Sequence, residues 1–149
     1  MSAFRLLASW VLALALAVFF IHVTVHPWPG PVPGYVKFYD APGEHLMFSA
    51  LAKSTGISLF EPAGRFVSGI FEVIAAILLI LPFSRRVGAG LSVILLAAGV
   101  ALHLSPALGR EVLLPEGGTD GGTHFLYYVI FLALSLLLLV VHPNERRWH

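Results

Sequence analysis

The chain has 149 residues, one domain's worth, of which 58% are hydrophobic and only 11% charged; its mean hydropathy is +0.87. Soluble domains carry about a quarter charged residues, so a soluble fold of this composition would leave large apolar patches in water; lipid is the solvent that fits. A net charge of +1 leaves no basic stripe for nucleic acid, and the absence of cysteine excludes disulfides, thiol nucleophiles, iron–sulfur ligation and dithiol relays.

The apolar run from Leu6 to Val25 is long enough to cross a bilayer, and the first span is placed at 4–25. A signal peptide is the competing reading, since Arg5 precedes the run. The length of the run and the lack of a small-x-small cleavage site after Phe19, Phe20 and Ile21 favour a retained helix. From His26 to Gly43 the density of proline (Pro27, Pro29, Pro31, Pro33) rules out helix and predicts a loop at the membrane surface. Trp28, Tyr35 and Tyr39 are its expected headgroup anchors. Residues 44–59 place Leu46, Met47, Ala50, Leu51 and Ile57 at roughly helical spacing, too short to span, and are read as an interfacial amphipathic helix.

Three more spans follow at 65–81, 87–104 and 124–141, closed by Pro82, Pro106 and Pro143. The tight connection around Ser84, Arg85 and Arg86 makes the second and third spans antiparallel neighbours. The loop from Ser105 to Thr123, with Glu116, Gly117, Gly118, Asp120, Gly121 and Gly122, is read as flexible. The expected fold is therefore all-α: a polytopic four-transmembrane-helix bundle with one additional interfacial helix. Arg5, Arg85, Arg86, Arg146 and Arg147 crowd one set of helix ends, whereas Lys37, Lys53, Arg65 and Arg110 are spread over long loops on the other side. The positive-inside rule then places both termini in the cytoplasm.

On that topology His22, His26, His45, His103 and His124 all fall on the outer side, with most of the acidic residues. Glu72 is the most informative residue. It lies about 10 Å deeper along its helix than Arg65, where a carboxylate costs at least about 2.5 kcal/mol and must face the bundle interior with a partner. Arg65, Ser68 and Glu72 share one stripe. Functionally Glu72 is a proton acceptor, a cation ligand or the anchor of a polar molecule; structurally it is an interhelical hydrogen bond or a pair with Arg65. His22 and His26, four apart, have the spacing of half a metal site, for a metal ion or haem. His124 begins a stripe with Tyr128, Phe131 and Ser135 that could line a cavity for a quinone ring, or could be ordinary packing. Gly64 and Ser68, Gly88 and Ser92, and Gly99 and His103 stand at the spacing that lets helix backbones approach in lipid. No phosphate-binding loop, Gly-x-Ser-x-Gly elbow or His-Glu-x-x-His helix occurs.

The stretch from Gly64 to Leu104 resembles the DoxX and DoxX-like family of small bacterial membrane proteins. The matching features are Arg65, Gly69 and Glu72, a Leu-rich run, the basic turn at Arg85 and Arg86, and His103 ending the third span. Lys37 to Gly56 is similar to that family as well. The resemblance implies a four-helix protein of the bacterial inner membrane, tied to redox work as a subunit of a quinone-linked oxidoreductase, with Arg65, Glu72 and His103 at one site. The expectation is then a quinone or similar amphiphile held at the outer leaflet. Glu72, positioned by Arg65, would move a proton, and His103, His124 and Tyr128 would contact the head group. Electrons would come from a bound cofactor or a partner redox protein, since the chain offers no thiol. The alternative is a non-catalytic assembly factor, lipid-binding module or small-molecule carrier. A second copy of the chain is a further candidate partner.

Overall fold

The computed structural model describes residues 2–142, so Pro143, Arg146, Arg147 and His149 lie outside the described residues. Five α-helices are present: α1 (Ala3–Thr24), α2 (Leu46–Thr55), α3 (Ala63–Ile80), α4 (Arg85–Leu104) and α5 (Thr123–Val141). Among the described residues there is no strand, only an isolated bridge between Leu113 and Thr119. The helices α1, α3, α4 and α5 are long and apolar enough to cross a membrane. The all-α, four-span architecture with a short additional helix is the one the apolar runs predict. The chain is a multi-pass membrane protein.

Local chemistry sets the helix ends. The Ser2 hydroxyl caps α1 by accepting the Arg5 N–H at 3.3 Å. At the other end of α1 the N–H groups of Val25 and His26 both reach the Ile21 carbonyl, and His26 takes a left-handed φ of 48° before Pro27. The residues before Pro82 and Pro106 turn extended, with ψ of 117° at Leu81 and 155° at Ser105, as proline forces on its predecessor. The interfacial helix is shorter than the expected 44–59. Gly56 ends α2 in a left-handed conformation, and a 3-10 turn at Ser58–Phe60 completes the segment.

In cross-section the spans form a closed ring in the order α1, α3, α4, α5 and back to α1. The tight turn between α3 and α4 makes them neighbours, as expected. Their backbones meet at Gly88, where a methyl group would stand 2.8 Å from the Leu79 main-chain nitrogen. Ala13, Leu16, Ala17, Phe20, Ala75, Ala76, Leu79, Ala89, Leu96 and Leu138 form the core. Val11, Ile70, Ile77, Ile94 and Val140 point outward, where lipid is their solvent. One end of the ring, the turn end, holds the start of α1 and the α3–α4 turn. The other, the crown end, carries the long 25–62 and 105–122 connections, α2 included.

The loop after α1 does not simply cross the surface. It folds back into the crown end, with the N–H groups of Lys37 and Phe38 bonded to the carbonyls of Val23 and Thr24. Val36 and Lys37 are buried there. Irregular backbone at such a position is tolerated where protein satisfies its polar groups. The Asp40 carboxylate does so for the N–H groups of Gly34 and Val36, at 2.8 and 3.1 Å.

Candidate functional site

One face of α3 grips this inserted loop at three successive positions. Arg65, fully buried, pairs with Glu61 at 2.9 Å and donates to the main-chain carbonyls of Lys37 and Asp40. One turn on, Gly69 leaves room for the Phe38 ring; a methyl there would lie 2.8 Å from it. Deeper still, the Glu72 carboxylate meets the Lys37 ammonium at 3.0 Å and receives the Ser68 hydroxyl at 3.4 Å. Glu72 thus has the interior partner its depth demands, but that partner is Lys37. The pairing of Arg65 with Glu72 is not what forms, because Glu61 and two loop carbonyls occupy the guanidinium. Lys37, placed in a surface loop by the sequence reading, is 3% exposed. Burial alone would pull its ammonium down, and the adjacent Glu72 carboxylate outweighs that and holds it above its usual range.

Beside this pair a cavity of about 740 Å³ lies between α1 and α5, within the size range of sites for small organic ligands. Its walls are two matching stripes. Ala15, Phe19 and His22 come from α1, with His26 just beyond its end, and Thr123, His124, Tyr127 and Phe131 from α5. Each stripe runs from apolar to polar toward the crown end, over about 10 Å on α1. Phe19 and Phe131 stack at 3.9 Å across the apolar part. At the polar end Lys37, His45, Trp28, Tyr35 and Asp120 complete the lining. The Nδ1 atoms of His26 and His45, both buried, have no hydrogen-bond partner. Burial, reinforced by Lys37 and Arg65, lowers the His45 pKa to about 2, so it is a neutral imidazole at any physiological pH.

The predicted site residues divide accordingly. His22, His26, His124 and Tyr128 line the cavity together. Glu72 stands behind it and meets it through Lys37, and Arg65 lies on the loop side. His103 is also set apart. Its Nδ1 donates to the Gly109 carbonyl at 3.0 Å, and the half-buried Tyr128 ring, 5.5 Å away, separates it from the cavity. Tyr128 itself is seated on Gly99, where a methyl group would fall 2.2 Å from its ring. At the expected metal or haem half-site the side chains form an aromatic cluster. The His22 and His26 rings are 4.8 Å apart, and Trp28 packs on both at 5.1 and 5.0 Å. Among the described residues no three His, Asp or Glu side chains gather as metal ligands.

The 105–122 loop is organised, contrary to the flexible reading. Val112 is buried. Asp120 ties the loop down by accepting the N–H groups of Val112, Gly122 and His124 at 2.9, 3.0 and 3.1 Å, and the His124 Nδ1–H at 2.7 Å. Burial pushes its carboxyl up, but these donors outweigh that and hold its pKa down to about 2. The missed residues are therefore Lys37, His45 and Asp120. The need of Glu72 for a cation was a signal for the first, and nothing local marked the other two.

No family model, curated protein or solved structure matches the chain.

Proposed function

We propose that the protein is a DoxX-like membrane subunit that binds a quinone-class amphiphile in the cavity between α1 and α5. The observation that carries this reading is the graded lining. Ala15, Val18, Phe19 and Phe131 suit an apolar tail, while Lys37, His45, Tyr127 and His124 offer hydrogen bonds to an oxygen-bearing ring. Flat aromatic walls favour a planar head group, since stacked rings contribute about 0.5–1.5 kcal/mol beyond area burial. The Lys37–Glu72 pair, with Lys37 in the lining and Glu72 one side chain behind it, is a proton reservoir for such a ring. The electrons come from a partner redox protein. The cytoplasmic orientation of the N-terminus, in a bacterial inner membrane, is part of the same proposal and puts the crown end outside.

The test uses the full chain in nanodiscs, titrated calorimetrically with a short-tailed benzoquinone and its quinol. Binding of either at micromolar concentration, abolished by Ala15→Phe in the apolar part of the cavity, is expected. No binding of either form, or binding indifferent to Ala15→Phe, overturns the reading. A native mass spectrum retaining only phospholipid would then favour the lipid-binding alternative. That alternative has one observation of its own: Glu72 does not line the cavity.

A further inference from the structure

The lining can be read for hydrogen-bond polarity as well as for size. His124 lies 2.7 Å from Asp120, whose two oxygens already accept three main-chain N–H groups. A carboxylate so engaged is ionised and only accepts. The hydrogen between the two residues therefore sits on His124 Nδ1, and in that tautomer Nε2 is the acceptor nitrogen. The Tyr35 ring, stacked on His124 at 4.8 Å and 7° from parallel, fixes the plane of the imidazole. Both His124 and Asp120 line the cavity. His45 and His26, each more than nine-tenths buried, line the same cavity, and their Nδ1 atoms have no hydrogen-bond partner.

We propose that the cavity selects the hydroxyl-bearing, reduced form of its ligand, a quinol or related phenol, with His124 Nε2 accepting the ring hydroxyl and Asp120 acting as the positioning residue. The inference rests on the quinone-class reading and narrows it. A quinone carries only acceptors, so at His124 a carbonyl lone pair would face an imidazole lone pair. A quinol places an O–H there. Asp120 fixes the tautomer and orientation of the ring, as carboxylate partners of histidine do elsewhere. One hydrogen bond made in one redox form and unmade in the other corresponds to about a tenfold difference in affinity.

The experiment compares a short-tailed benzoquinol, kept reduced under nitrogen, with its quinone on the full chain in nanodiscs by titration calorimetry. The expected result is quinol binding about tenfold tighter. Asp120→Asn and His124→Gln should each remove that preference by weakening quinol binding and leaving quinone binding within about twofold, and Asp120→Glu should restore part of it. His124→Gln leaves the three main-chain bonds of Asp120 in place, so it serves if Asp120→Asn fails to fold. Equal binding of the two forms by the unmodified protein, or equal losses for both in His124→Gln, overturns this inference alone. Binding of neither form overturns it together with the quinone-class reading.

Discussion

Each end of the bundle buries an arginine, and the two are satisfied in different ways. Arg65 at the crown end has a carboxylate, Glu61, and two loop carbonyls. Arg85 at the turn end pairs with no carboxylate among the described residues. It donates to the Leu79 carbonyl at 2.9 Å and the Ser9 hydroxyl at 3.2 Å, and lies 3.9 Å over the Trp10 ring. Ser9 in turn contacts His142 at 2.9 Å, which ties the end of α5 to the same cluster. Arg65 therefore holds an irregular element, a loop, with charge and directed bonds. Arg85 joins helix ends that apolar packing already brings together. A buried cation is expensive to strand once its partner is removed, so the two ends should differ in what a single substitution costs.

Arg65→Ala should have the largest effect. It strands Glu61 and frees the loop carbonyls, a loss of about 3–5 kcal/mol measured by denaturant unfolding in detergent; a loss below that of Trp10→Leu would erase the contrast. Next comes Glu72→Gln, which keeps an acceptor but leaves Lys37 charged and buried, at about 2 kcal/mol. Replacing both members, Lys37→Met with Glu72→Met, should recover most of that stability while still impairing binding of the amphiphile, separating fold from function at one site. Trp10→Leu at the turn end should cost about 1 kcal/mol.

A separate expected effect is on pH response. Buried His45 is neutral when folded, with a pKa of about 2, against 6.5 when unfolded. As pH falls below 6.5 the unfolded chain takes up a proton the folded one refuses, so stability declines. The Asp120 contribution runs from the usual 3.8 down to about 2 and is lost only in that lower window. His45→Asn should therefore flatten the fall in melting temperature between pH 7 and pH 5. An unchanged slope would show that His45 is not buried as described.

The spans were legible because apolar length and the prolines at 82 and 106 act locally. The significance of Glu72 was legible for a related reason: charge at depth is costly wherever the chain runs. Its partner was not, since the path of the Lys37 loop depends on a groove made by Gly69 and a clamp made by Arg65, which are distant in sequence. Asp120 was hidden by its glycine neighbours, whose freedom of backbone serves here to wrap a carboxylate. The charge count behind the orientation also changes weight, because Arg85, Lys37 and Arg65 are buried. Among the described residues that leaves Arg5 and Arg86 exposed at the turn end and Lys53 and Arg110 at the crown. As the chain has no native cysteine, a single Thr119→Cys should label with a membrane-impermeant maleimide from outside intact cells, and Ser2→Cys should not.

The matching stripes on α1 and α5 also bear on biogenesis. The first wall of the cavity enters the membrane early, and the facing wall is made only after every other described helix has left the ribosome. A nascent chain stalled before Thr123 lacks the second wall of that cavity.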